Sequence, residues 1–414
     1  MKSAISYIAL AALILCTQFQ LVVSEKADIV GYFTSWETNI YDVNAVPWDK
    51  LSRVNFAFAT VNDVKNPVPV LSPEDSKVLA KLAAAGNAHG VPILVSIGGW
   101  GGGNAMSLAV GQEANRQKFI NTVKEWVTRY KLAGIDLDWE FPGSNEGCPA
   151  NHISPRDNEN YAMLVRQLRA ALGKDKLITM AVQISPRLYG NSLKQLGQDV
   201  DKFNVMSYDV HGNWEASSGP NAPIDSFKTS LDEWSTKVPI EKIVMGTAFY
   251  GHSMKLAKRA DGTTPYIPLA KNAIIKGDKL DVLDTPDSCT GEKKYTGNWS
   301  WRNLLEQGVI NKKIGGGVTR AGTGWIRYFD QGSATPYLYN DANGVFISYD
   351  DPDSLRLKAA YAACRGAGVF AWELSNDDRE SSLLNALSSG MRTSFKGNCE
   401  IILRSVIGKR RLMI

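Results

Sequence analysis

The sequence predicts an α/β protein folded as a closed (β/α)8 barrel, a TIM barrel, with a small α+β insertion subdomain after the seventh strand. Three observations lead there. Short β-branched or aromatic runs alternate with longer stretches of helical periodicity, the pattern of repeated βα units around a parallel sheet. The runs number eight. About ninety residues then separate the seventh run from Phe346, too many for a bare loop in a compact domain.

In chain order, strands are expected at 28–34 (DIVGYFT), 53–59 (RVNFAFA), 92–98, 133–140, 177–184 (LITMAVQI), 202–208, 242–249 and 367–373. Helices are expected at 74–88, 113–131, 157–172, 224–236 and 353–365, where apolar residues recur three or four apart. In a closed barrel the active site lies at the C-terminal ends of the strands. An open doubly wound sheet is the alternative topology, but no G-x-G-x-x-G follows the first strand. The insertion is placed at 252–342, with one helix over 299–305.

The termini read differently from the barrel. Lys2, an apolar run over 4–15 and the small residues Val22 and Ser24 make residues 1–24 a secretory signal. Thr17, Gln18 and Gln20 interrupt the run too early for a membrane span. The mature protein is therefore expected outside the cell, with the barrel and its insertion at 25–390 and a basic tail of unassigned role at 391–414. Cys148, Cys289, Cys364 and Cys399 remain, and three complete pairings stay open. Cys364, in a helical pattern, is also readable as a buried thiol. Asn298-Trp299-Ser300 is an N-glycosylation pattern.

A formal charge of +4, with 21% charged residues, gives no field to gather nucleic acid or acidic membrane. A neutral ligand and a monomer are expected. No cofactor or metal is expected either, since His89, His152, His211 and His252 lack ligand spacing.

The stretch GIDLDWEFPG (134–143) carries the chemistry. Alternate residues of a strand share a face, so Asp136, Asp138 and Glu140 would point into the barrel while Ile135, Leu137 and Trp139 point out. Confined together, three carboxyls repel one another and resist desolvation, so at least one keeps a proton near neutral pH. General acid catalysis requires such a proton. A solvated acidic edge strand and a divalent metal site are the competing readings of these acids alone.

Further motifs bear on that choice. GIDLDWEFPG resembles the D-G-x-D-x-D-x-E signature of glycoside hydrolase family 18, the chitinases, and SIGGW (96–100) resembles its third-strand motif. VGYFTSW, NFAFA, MSYDVHGNWE (206–215), GTAFYG and GVFAWELSND resemble the motifs of the first, second, sixth, seventh and eighth strands, in order over about 28–388. One position departs: Ala133 stands where the signature has its leading Asp.

The resemblance implies a secreted enzyme that cleaves β-1,4-linked N-acetylglucosamine polymers with retention, internal attack being favoured over attack at chain ends. The substrate's own acetamido oxygen would be the nucleophile, an exception to the two-carboxylate scheme. It implies Glu140 as general acid and base, Asp138 as the group orienting the acetamide, Asp136 as its proton-sharing partner, and Tyr208 on the acetamido carbonyl. Asp209 would bond the distorted sugar, and Tyr32 and Ser96 would support the innermost acid. Trp372 would floor the cleft, with Trp100 and Trp214 lining it. Phe58, Met206 and Tyr250 are further lining candidates. A chitin-binding lectin on the same barrel and an endo-β-N-acetylglucosaminidase are the alternative functions.

Overall fold

The computed structural model describes residues 27–284, 286–313, 317–393 and 399–400. The expected signal and residues 394–398 and 401–414 of the expected tail lie outside the described residues. Eight parallel strands form a closed barrel: Ile29–Thr34, Arg53–Ala59, Ile93–Gly98, Gly134–Asp138, Leu177–Val182, Lys202–Val205, Ile243–Ala248 and Gly368–Trp372. Each pairs with the next, and the eighth closes on the first through Ile29 opposite Val369.

Alternation sorts the side chains. Ile135, Leu137 and Trp139 turn outward into the main core, where the Trp139 ring meets Tyr161 of helix Asp157–Leu172 edge-on at 5.1 Å. That helix buries Tyr161, Leu164, Val165 and Leu168 at helical spacing. Inside the barrel a separate apolar cluster forms around Val30, Tyr32, Ala57, Val244 and Phe370.

Local chemistry sets the helix ends. Helix Pro73–His89 starts on Ser72, whose side chain accepts from the Asp75 amide, and stops at Gly90 in the left-handed region. Helix Pro352–Arg365 has a capping box from Asp351 and Ser354 and also ends on a left-handed glycine, Gly366.

Helices Met106–Gly111, Leu193–Asp199 and Ser382–Met391 were not foreseen. Two are shorter than two turns and show no period, while the third is rich in Ser and Gly and is held by burying Leu383, Leu384 and Leu387.

The insertion is α+β. Its five-stranded antiparallel sheet runs in the order Ile326–Asp330, Thr335–Asn340, Val345–Ser348, Tyr250–Lys255, Asn298–Ser300, so it reaches to Tyr250 and Ser348, beyond both expected bounds. A two-stranded sheet, Ile310–Lys313 with Gly317–Ala321, completes it. The helix expected over 299–305 is Trp301–Glu306, because Ser300 caps it by accepting from the Asn303 amide and Trp299 stays in the strand. Disulfides join Cys148 to Cys289 and Cys364 to Cys399. Cys364 is therefore half of a bridge, not a free thiol. The first bridge ties the insertion to the loop after the fourth strand.

Candidate active site

Barrel register brings the inward acids into defined rows. Asp136 lies between Ser96 on the third strand and Thr179 on the fifth, and Asp138 lies beside Gly98 one row higher. Asp136 is fully buried and accepts four hydrogen bonds. Tyr32 Oη at 2.9 Å and Ser96 Oγ at 2.7 Å donate to its Oδ2. Asn204 Nδ2 at 2.9 Å and the Thr179 hydroxyl donate to Oδ1. Below it, Arg53 Nη2 donates to Asn204 Oδ1 at 3.1 Å and so fixes which end of that amide faces the acid.

Asp138 is also buried, but its Oδ1 has no partner among the described residues. Burial, then the nearby Glu140 and Asp136 charges, push its pKa well above the usual carboxylate range, so it holds a proton.

The fourth strand stops at Asp138, two residues short of the expected end, so Glu140 stands on the turn above. The adjoining loop claims its backbone instead of a neighbouring strand: Asn151 Nδ2 donates to the Glu140 carbonyl at 2.7 Å, and Gly147 packs so closely there that a Cβ would sit 2.0 Å from that oxygen. Burial, then the Asp209 charge, push the Glu140 carboxyl up to about 8.

The glycines of SIGGW are required by close approach. A Cβ on Gly98 would lie 1.9 Å from the Asp138 carbonyl, and one on Gly99 would lie 2.7 Å from the Phe58 ring. Both also adopt positive φ, 120° and 84°.

The sixth strand also ends early, at Val205, and releases 206–209 toward the acids. Tyr208 meets Tyr250 and Phe370 edge-on, and its phenol stays protonated because it is buried beside Asp138, Asp209 and Glu140. Asp209 has φ of 57°, with its amide held by Asn221 Oδ1 at 2.9 Å. Its Oδ1 meets Tyr250 Oη, which donates at 2.6 Å, and His252 Nε2 at 2.8 Å.

Aromatic rings line the rim. Trp372 stacks on Phe58 at 5.6 Å and meets Tyr32 edge-on at 5.4 Å. Met206 packs into the same interior cluster. Trp100 (42% exposed) follows the paired glycines, and Trp214 (58% exposed) touches the His252 ring edge-on at 5.1 Å. All thirteen residues singled out in the sequence thus lie in or on this end of the barrel.

Sequence reasoning missed Thr179, Asn204, Asn221, His252 and Trp36. The first two sit on the inward face of recognised strands, so alternation could have found them. Trp36, 56% exposed, stacks on Phe58 at 6.0 Å and extends the Trp372 platform outward. Ala133 precedes the fourth strand at the opposite end from Glu140, where its backbone pairs with Ile93 and Leu177.

Known proteins share this architecture. The pattern of "Glycosyl hydrolases family 18" matches residues 28–377. A "chitinase-like effector" of Moniliophthora perniciosa is 30% identical, the match covering 87% of this chain and 86% of that one. A crystal structure of a chitinase from Rhizomucor miehei superposes with a TM-score of 0.79 at 29% identity, covering 88% of this chain and all of that one. The Ostrinia furnacalis Group II chitinase catalytic domain 2, a mutant in complex with an N-acetylglucosamine oligomer, superposes with a TM-score of 0.73 at 25% identity over 90% of this chain and 98% of that one. With its barrel, its acid ladder and the family pattern over most of its length, the chain belongs to family 18 of the glycosyl hydrolases, the chitinase family, and is a glycoside hydrolase.

Proposed function

We propose that the protein is a secreted chitinase that cleaves β-1,4 bonds between N-acetylglucosamine units, at internal positions and with retention, the substrate's acetamide acting as nucleophile. The observation that carries this reading is the buried Asp138 Oδ1, an acceptor with no donor among the described residues, directly below a carboxyl raised to about 8 at Glu140. A substrate amide N–H is the donor that Asp138 lacks.

In the first step Glu140 gives its proton to the glycosidic oxygen, the C1–O bond breaks, and the acetamido carbonyl oxygen bonds to C1. Asp138 holds the amide N–H and offsets the positive oxazolinium charge, its own proton being shared with Asp136. Tyr208 fixes the acetamido carbonyl for in-line attack. The leaving chain departs with the Glu140 proton. Glu140, now a carboxylate, takes a proton from water, whose oxygen attacks C1 and reopens the ring on the original face. Glu140 ends protonated again, so the cycle closes.

Trp372 and Phe58 supply a flat apolar floor, and Trp36, Trp100 and Trp214 supply exposed faces for pyranose C–H groups. This suits an uncharged polymer. Two disulfides support an oxidising compartment and hence secretion, with the signal ending near Ser24. The ligand of the Ostrinia furnacalis structure supports chito-oligosaccharides as the substrate class.

A relative described as chitinase-like motivates the second reading, a protein that binds chitin without cutting it. Release of soluble sugars from colloidal chitin by the native protein, and loss of release in Glu140→Gln with chitin binding retained, is the expected result. Equal sugar release by the two proteins would refute the assignment of Glu140.

A further inference from the structure

His252 lies on the first strand of the insertion and is 5% exposed. One ring nitrogen, Nε2, lies 2.8 Å from Asp209 Oδ1, while the other, Nδ1, is buried with no partner among the described residues. We propose that His252 is a positioning residue for Asp209: its neutral ring, protonated at Nε2, clamps one carboxylate oxygen so that the other faces the sugar to be cleaved. The proposal rests on the function proposed above, in which Asp209 bonds that sugar.

The tautomer follows from the partners. A carboxylate only accepts, so the nitrogen that bonds it must carry hydrogen. A second N–H at Nδ1 would be a buried donor without an acceptor, which is costly. The neutral Nε2–H form leaves there only an unused lone pair.

The clamp has two arms on one atom. Tyr250 Oη donates to the same Oδ1 at 2.6 Å, and Asn221 Oδ1 accepts from the Asp209 amide at 2.9 Å. Tyr250 and His252 share one strand of the insertion, and their rings meet edge-on at 5.4 Å. The insertion therefore reaches into the barrel mouth with two side chains that both end on Asp209. The other face of this unit bears on binding: the exposed Trp214 ring meets His252 edge-on at 5.1 Å. His252 thus joins an outer sugar platform to a group at the reaction centre. Asp209 in turn acts on Glu140, whose proton it helps retain. A carboxylate free to rotate would lose both its aim and its fixed distance from that acid, and a displacement of about 1 Å at such a site can cost on the order of 10² in rate.

The test uses the full-length protein, with two variants and one spectrum. His252→Leu keeps an apolar side chain but no donor, whereas His252→Gln offers an amide N–H to Asp209. On a chitohexaose substrate, His252→Leu is expected to lower kcat by roughly 10- to 100-fold with a smaller change in KM, and His252→Gln to recover most of it. In the 15N spectrum of histidine-labelled native protein, His252 Nδ1 is expected to be unprotonated and Nε2 protonated. Equal losses in both variants would show a packing role, and wild-type kcat in His252→Leu, or a proton on Nδ1, would overturn the proposal. The spectrum decides the tautomer even where a variant fails to fold. Undiminished turnover in Glu140→Gln would instead defeat the functional reading, so the two failures are distinguishable.

Discussion

Asp136 and Asp138 share one face of the fourth strand two residues apart, yet Asp136 accepts four hydrogen bonds while Asp138 buries Oδ1 with none among the described residues. The lower acid is built as a fixed acceptor. The upper one keeps a proton at rest and an acceptor for substrate. Three of the four donors to Asp136 are hydroxyls, which can turn and accept.

This division predicts opposite costs for two similar substitutions. Asp136→Asn replaces one of the two acceptor oxygens by an amide NH2 and forces the groups that donate there to rearrange, so it is expected to lower stability by about 1–3 kcal/mol. Asp138→Asn removes a carboxyl that resists ionisation, so stability is expected to hold while kcat falls on the order of 10²-fold or more. Thermal unfolding and steady-state kinetics on the two variants check both halves.

The pH profile is the next expectation. In the proposed cycle Glu140 starts protonated, and its carboxyl is pushed up to about 8 by burial and by Asp209. Activity is therefore expected to persist through neutrality and fall as pH rises through about 8. Asp209→Asn removes the like charge and is expected to move that alkaline limb to lower pH, which a kcat/KM profile against pH reads directly.

The same raised carboxyl acts on stability. In the unfolded chain Glu140 ionises near about 4.3, whereas the folded protein holds its proton to about 8. Folded-state stability from this group is thus present at acid pH and lost as pH rises across that window. Burial pushes Glu373 and Asp377 up to about 7, with the same sign. Glu140→Gln is expected to be more stable relative to wild type at pH 8 than at pH 5, as measured by denaturant unfolding at both. A difference independent of pH would remove this account of Glu140.

The Cys148–Cys289 bridge fastens the insertion to the loop whose Gly147 lies against the Glu140 carbonyl. Cys148→Ser with Cys289→Ser is expected to cost about 2–5 kcal/mol of stability and to lower kcat. Breaking Cys364–Cys399, at the far helix, is expected to leave kcat near wild type. Activity of the two double variants at a temperature where both stay folded separates the cases.

Much of this molecule is legible in its sequence because a barrel repeats one unit. Period-2 runs placed the eight strands to within three residues at each end, and the acid line named its own inward face. The ends of the fourth and sixth strands were overrun because Trp139-Glu140 and Met206-Ser207-Tyr208 continue the pattern past Asp138 and Val205, where the strands stop. Thr179 and Asn204 look ordinary in sequence, and only register shows that they converge on Asp136. His252 and Asp209 meet across 43 positions, a contact no local pattern can signal. The cysteine pairs were equally closed to a one-dimensional reading.

The claim on which the mechanism depends is that the sugar's own amide forms the new bond at C1. Its most direct test is the identity of the new reducing ends released from a partially N-acetylated chitosan oligomer, sequenced by mass spectrometry at early times. Only N-acetylglucosamine at those ends is predicted. Glucosamine ends formed at a comparable rate would contradict it, since that sugar has no acetamide to attack with.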